Sequence, residues 1–468
     1  MTRDPDGAGG SRISAAHIRQ ALTLLIPELE EFWPRPLGDY AHAVYDNVDR
    51  GSCSVRNDAM GRLQALVSSV ALRSGANEDQ ALDAARQISE VPVIQSGPHC
   101  FLLVDPEAFY SHLFSALGLS SHRRRWHMYF GCSTVKFTER ANKGPGWFDA
   151  GDDLVNIFGL SRRRMGSTNL CGRNGPYEFK LEPDGASATS HNAQWLKAHL
   201  PGSAFPTAAD AIIAANQVLW KRSFPLSLQL LQFNDMDVGD LVADHFEDTD
   251  SWLSRRFTGN DLLAEKILRA IDDLNDGPWA GWVRRTTDFF WGIADGRTVP
   301  LHLHDGVLTG STASAVFNIP FNPEDLARSL RQRRLIPNLL MMALVTSILP
   351  GARLLGGSRQ TVYHPLMRYL VATALDAEYD RALLAAMRDD RGAGMWGHRV
   401  LRPANAFPLL ETEKIGHGLA VAAAYGEQSL ETAAGDLSFF RADPIWSEIC
   451  AHLSSRRISS ASREWQWA

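Results

Sequence analysis

Two stretches, Val93-Ile-Gln-Ser-Gly-Pro-His99 and Leu354-Leu-Gly-Gly-Ser-Arg-Gln360, each set small residues between an apolar strand and a following helix. Strands that alternate with helices in this way are expected to lie parallel, with the helices covering the sheet faces. Other runs fit the same pattern. Trp126-His-Met-Tyr-Phe130 reads as a strand ahead of Gly131-Cys-Ser-Thr134, and Val362 to Leu375 reads as the helix behind the second glycine loop. A helix is expected from Asp105 to Leu117, with Asp105 as N-cap, Pro106 at the first helical position and Gly118 as stop. The expected fold class is therefore α/β, a Rossmann-like core with a parallel sheet flanked by helices, plus helical additions at both ends. In residue numbers, this means a disordered tail over 1–12 and a helical segment over 13–90. The core then covers 91–400, with an irregular insertion at 141–190, and a helical C-terminal segment covers 401–468.

Charge and cysteine usage exclude several classes of partner. The 468 residues carry 47 Lys and Arg against 53 Asp and Glu, a net charge of −6. That balance, without a recognised binding motif, argues against nucleic acid and against an anionic membrane surface. The longest apolar stretch, Leu335 to Leu349, contains Pro337 and is too short to span a bilayer, so a buried helix is expected there. The N-terminus is polar and Gly-rich and does not read as a signal peptide. Cys53, Cys100, Cys132, Cys171 and Cys450 are odd in number and widely spaced, which suits a reducing cytoplasm better than a disulfide framework. His302 and His304 share one face of a strand, but no third ligand is evident and no metal is assigned. Neither glycine loop matches the P-loop or the GxGxxG fingerprint, so no cofactor is expected.

What the loops offer is an anion site. Glycine lets the backbone approach a ligand, and a helix start supplies unpaired N–H groups and a positive dipole end. Three side chains are candidates for chemistry. His99 is a possible base or anion donor, Lys136 a charge donor, and Arg359 a clamp for carboxylate or sulfate. Gln95, Ser96, Gly97, Ser133, Thr134, Gly356, Gly357, Ser358, Gln360 and Tyr363 are candidates for binding. Each has a plainer alternative as a turn former, a helix cap or a solvated side chain. Cys132 reads better as an inert buried thiol than as a nucleophile.

Three segments resemble the bacillithiol-synthesis cysteine-adding enzymes. Val91-Pro-Val-Ile-Gln-Ser-Gly-Pro-His99 is similar to that family's Gly-Gln-Gln…Gly-Pro segment. Phe321-Asn-Pro-Glu-Asp-Leu-Ala-Arg-Ser-Leu-Arg-Gln332, with Leu335-Ile-Pro-Asn338, is similar to its Arg-Pro-Leu…Leu-Pro stretch. Leu355-Gly-Gly-Ser-Arg-Gln-Thr-Val-Tyr363 is similar to its Gly-Pro-Gly-Glu…Tyr segment. The resemblance implies a Rossmann-like core and a small-molecule condensing activity. The chain departs from the family where members carry an acidic, His-containing cluster. Here that position reads Gly131-Cys-Ser-Thr-Val-Lys136, and the acid of the third segment is replaced by Ser358-Arg359.

Exchanging acids for neutral and basic residues favours an anionic substrate or leaving group. The expected function is a specialised-metabolism enzyme that forms a C–N bond by displacement or condensation. Its substrate would be a small anionic amino metabolite, free or carrier-bound. One variant expels sulfate or phosphate by intramolecular amine attack and closes an aziridine ring. The competing expectation is a non-catalytic binding protein or a subunit that works with a second protein, for which Trp446, Trp465 and Trp467 could form an interface.

Overall fold

In the computed structural model, residues 13–46, 51–139, 143–150, 154–183, 190–258, 263–390, 394–397, 399–404 and 407–467 are described. The expected tail, 1–12, lies outside them. Five strands form one parallel sheet: β1 (Val93–Gln95), β2 (Trp126–Phe130), β3 (Gln229–Phe233), β4 (Arg353–Gly356) and β5 (Gly394–Trp396). Their spatial order is β5-β4-β1-β2-β3. Val93 pairs with Arg353 and Gln95 with Leu355, while β2 and β3 run in register from Trp126–Gln229 to Phe130–Phe233.

These strands are buried almost throughout, the pattern of a parallel sheet covered on both faces. Helices α1 (Ser54–Arg73) and α2 (Glu78–Glu90) cover one face of β2 and β3, and α3 (Pro106–Ser121) and α4 (Ala208–Ser223) cover the other. Side chains of β2 show this directly. The Trp126 indole reaches Asp83 of α2, and His127, one residue on, packs on His112 of α3 and Trp220 of α4. Helix α5 (Asp235–Glu247) follows β3, α6 (Leu263–Asn275) follows a π-helical turn, and α7 (Gln360–Ala374) follows β4.

The N-cap of α3 is as expected: Asp105 accepts from Glu107 N and Ala108 N, and Pro106 opens the helix. Gly118 does not stop it. The helix continues to Ser121, and a Cβ at Gly118 would lie 2.3 Å from Tyr45 Cδ2 and 2.8 Å from Ala41 O. The glycine is there for close helix–helix contact with 37–45. Leu335 to Leu349 is also not one helix. Leu335–Pro337 is a strand, paired antiparallel with Phe290–Ala294, and Asn338 then caps the helix Leu339–Ala343. The 141–190 region contains a small antiparallel sheet of Trp147–Asp149, Leu154–Asn156 and Glu182–Pro183.

Both end segments are helical and share the core's apolar cluster, which runs from Ile18 to Trp465. The C-terminal tryptophans are spent inside the chain. Trp446 is buried against Trp282 and Phe440, Trp465 stacks on Trp279, and the Trp467 carbonyl accepts from Arg368. Among the described residues, no helix is long and apolar enough to cross a membrane.

Candidate functional site

The order of strands reverses between β1 and β4, so the chain leaves these neighbours in opposite directions, the place in open α/β sheets where ligand crevices form beyond the carboxyl ends. Both glycine loops lie there. They are joined by Gln360, the first residue of α7. Gly357 N–H donates to Gln360 Oε1 at 2.8 Å, and Gln360 Nε2 donates to the Ser96 carbonyl at 2.6 Å. Ser96 N–H in turn donates to Leu355 O at 3.0 Å. A Cβ at Gly356 would fall 2.2 Å from Gln360 Cβ, so only glycine lets this side chain fold back over its own loop.

Several candidates from the loops face inward. Gln95 is buried, accepts from Ser115 Oγ at 2.5 Å and donates to Gly97 O at 2.6 Å. Beneath it His112 Nδ1 lies 2.9 Å from His127 Nε2, and burial drives the His112 pKa down to about 3. This pair is neutral near pH 7. Ser133 is likewise buried. Its N–H and Oγ–H both donate to Asp235 Oδ2, the hydroxyl at 2.8 Å, and Thr134 N–H donates to the same oxygen at 3.2 Å. The loop after β2 is therefore an anion nest, but the anion is the chain's own. Burial raises the Asp235 pKa, and the hydrogen bonds from Ser133 and Thr134 oppose that rise.

The three basic candidates do not converge. His99 is exposed, with Nδ1 2.5 Å from Glu139 Oε1. Lys136 is exposed, and its ammonium has no bond among the described residues. Arg359 Nε and Nη2 donate to Asp443 Oδ2 and Oδ1 at 2.5 and 2.8 Å. Ser358 is half-buried, without a side-chain partner among the described residues.

Three candidates do meet. Thr134, Arg359 and Tyr363 all line a cavity of about 330 Å³ beyond the ends of β2 and β4. That volume is at the small end of ordinary ligand pockets. Burial raises the Tyr363 pKa, so its side chain is a phenol at neutral pH. Most of the segment 281–291 also lines it, Trp282, Arg284, Arg285 and Trp291 included, together with Leu268 and Ile271 of α6 and Leu340. This segment was missed in the sequence, although Trp282-Val-Arg-Arg285 combines an aromatic ring with two guanidinium groups. Arg285 is held by Asp288 at 2.8 and 3.0 Å and by Asp272 at 2.7 Å. Arg284 is exposed, and its one hydrogen bond among the described residues is a 3.4 Å contact from Nε to Gly281 O. The C-terminal segment backs the cavity through the Arg359–Asp443 pair and the edge contact of Trp446 on Trp282.

Among the described residues, no group of three or more His, Cys, Asp or Glu is placed to hold a metal ion. His302 Nδ1 lies 3.8 Å from Asp288, and His304 is exposed. No protein-family model matches the chain, and no curated protein matches it.

Proposed function

We propose that the protein is an enzyme of specialised metabolism that joins an amine to carbon, with the cavity beyond β2 and β4 as its reaction site. The observation that carries this reading is the meeting at one cavity of Thr134 and Arg359, from two different post-strand loops, and Tyr363, from the first turn of α7. The strand order supports a Rossmann-like core, and such sheets take ligands where the order reverses. The substrate is a small anionic amino compound.

In the reaction, the amine lone pair forms the C–N bond while the bond from that carbon to a sulfate or phosphate oxygen breaks. The bonding pair leaves with the anion, and the new ammonium then loses a proton. When the amine and the leaving group sit on neighbouring carbons, the product is an aziridine. Guanidinium groups at the cavity stabilise the charge gained by the departing oxygen. The Tyr363 phenol can donate a hydrogen bond to it. The apolar walls hold the amine opposite the leaving group and limit water.

A second reading, a binding subunit, draws on the Arg359–Asp443 pair, which already satisfies two guanidinium nitrogens. Comparison of metabolites from cells with and without the gene identifies the amine that accumulates. Added to purified protein, that amine should disappear in step with released sulfate or phosphate. Arg359→Ala and Tyr363→Phe should each lose turnover while circular dichroism is unchanged. Full turnover in both variants would discard the site, and no turnover by the native protein would favour the binding subunit.

A further inference from the structure

The walls of the cavity say more about its occupant than its charges do. Leu268, Ile271, Leu340, Met367, Phe289 and Val283 present carbon to the interior. Much of the polar lining is already satisfied. Thr134 Oγ1 lies 3.2 Å from Cys132 Sγ, and Asn338 caps its own helix through Met341 N–H at 3.0 Å. Thr287 Oγ1 accepts from Leu301 N–H at 2.8 Å and bonds two carbonyls. Lining of this kind does not repay the desolvation of a polar body.

Two lining groups are left open. Trp291 is half-buried, and its indole has no ring or hydrogen-bond partner among the described residues. An indole at a cavity lining, stacked on no other ring, suits a flat aromatic body. Arg284 is the second. Arg359 meets a carboxylate at two points and Arg285 meets carboxylates at three, whereas the single bond of Arg284 goes to a backbone carbonyl and leaves its charge unmet. Arginine with a charge to spare pairs readily with carboxylate or phosphate.

We propose that the cavity binds an aryl-bearing anion, with its ring between Trp291 and the aliphatic side chains and its carboxylate or phosphate on Arg284. This rests on the cavity being the substrate site and narrows the substrate from any small anion to one with an aromatic body. The volume of about 330 Å³ suits one or two fused rings with a short acidic arm.

Isothermal titration of the full-length protein with indole-3-acetate, indole-3-acetamide, acetate and inorganic phosphate tests it. Indole-3-acetate should bind best, and the neutral amide should bind roughly tenfold more weakly, a difference of about 1.4 kcal/mol. Arg284→Gln should erase the preference for acid over amide. Trp291→Leu should weaken acid and amide together. Arg284 is exposed, so its variant should fold as the native protein does. The proposal is overturned if indole-3-acetate fails to bind, if acetate or phosphate binds as well, or if Arg284→Gln leaves the acid–amide ratio unchanged. The two claims fail separately. Phosphate binding that depends on Arg359, without arene binding, would sink the aryl ligand and keep the reaction site. Aryl-anion binding through Arg284, with no amine turned over, would do the reverse.

Discussion

The Arg359 guanidinium meets the Asp443 carboxylate at two points, Nε to Oδ2 at 2.5 Å and Nη2 to Oδ1 at 2.8 Å. Asp443 stands at the start of the helix Pro444–Ser454, so the pair ties the C-terminal segment to the loop after β4. It also sets the charge that Arg359 can offer a ligand. Asp443→Asn keeps the shape and removes the counter-charge. Inorganic phosphate should then bind roughly tenfold more tightly, as titration calorimetry would show. Unchanged affinity would mean that the guanidinium is not reachable from the cavity.

Away from the cavity, Asp390 holds two buried arginines. Arg56 donates to it at 2.6 and 2.5 Å and Arg368 at 3.1 Å, while Arg368 Nε also bonds the Trp467 carbonyl at 2.7 Å. Asp390→Ala strands both cations. The expected loss is about 3–5 kcal/mol in urea unfolding. A loss within experimental error would show that water enters this cluster in solution.

His364 supplies a pH prediction. It is buried, neither ring nitrogen has a hydrogen-bond partner among the described residues, and burial lowers its pKa from 6.5 to about 3. The unfolded chain therefore takes up a proton that the folded one refuses. The stabilisation from neutral His364 is complete above pH 6.5 and is lost as the pH falls toward about 3. The slope is about 1.4 kcal/mol per pH unit in that window. His364→Phe should remove this slope, so the variant gains on the native protein as acid is added. Parallel unfolding curves at pH 7 and pH 5 would refute it.

Asp235 completes the set. Three donors from Ser133 and Thr134 converge on its Oδ2. Asp235→Ala leaves them facing an empty buried space, at an expected cost of about 1–3 kcal/mol per unpaired group. Added sulfate should restore part of the loss if the emptied nest accepts an outside anion. Equal stability with and without sulfate would show that the loop collapses instead.

How much of this was legible in the sequence depended on local signals. Strand β2 and the two glycine loops were readable because the apolar run and its turn residues are contiguous. Strands β3 and β5 were not read. Gln229-Leu-Leu-Gln-Phe233 is buried on both faces and lacks strand alternation, and Gly394-Met-Trp396 is too short to carry a pattern. Gly118 looked like a helix stop because its reason, contact with Tyr45, lies far along the chain. The site divides the same way. Arg359 and Thr134 could be picked out as loop residues near strand ends, and Tyr363 as a residue that begins the helix behind the second loop. That Asp235 fills the nest, that Asp443 meets Arg359, and that residues of 281–291 line the same cavity depend on contacts between distant segments. Periodicity and turn chemistry carry no information about such contacts.

The amide of Gln360 spans Gly357 N–H and the Ser96 carbonyl across the two post-strand loops. It plugs the slot between β1 and β4 with a piece of the protein itself. Gln360 itself does not line the cavity of about 330 Å³, whereas Trp282, Phe289 and Trp291 do. A shorter residue at 360 would unstop the slot and return two loop backbones to solvent. The closure between the two loops thus hangs on one neutral side chain, a position where a single substitution would part them without disturbing the sheet beneath.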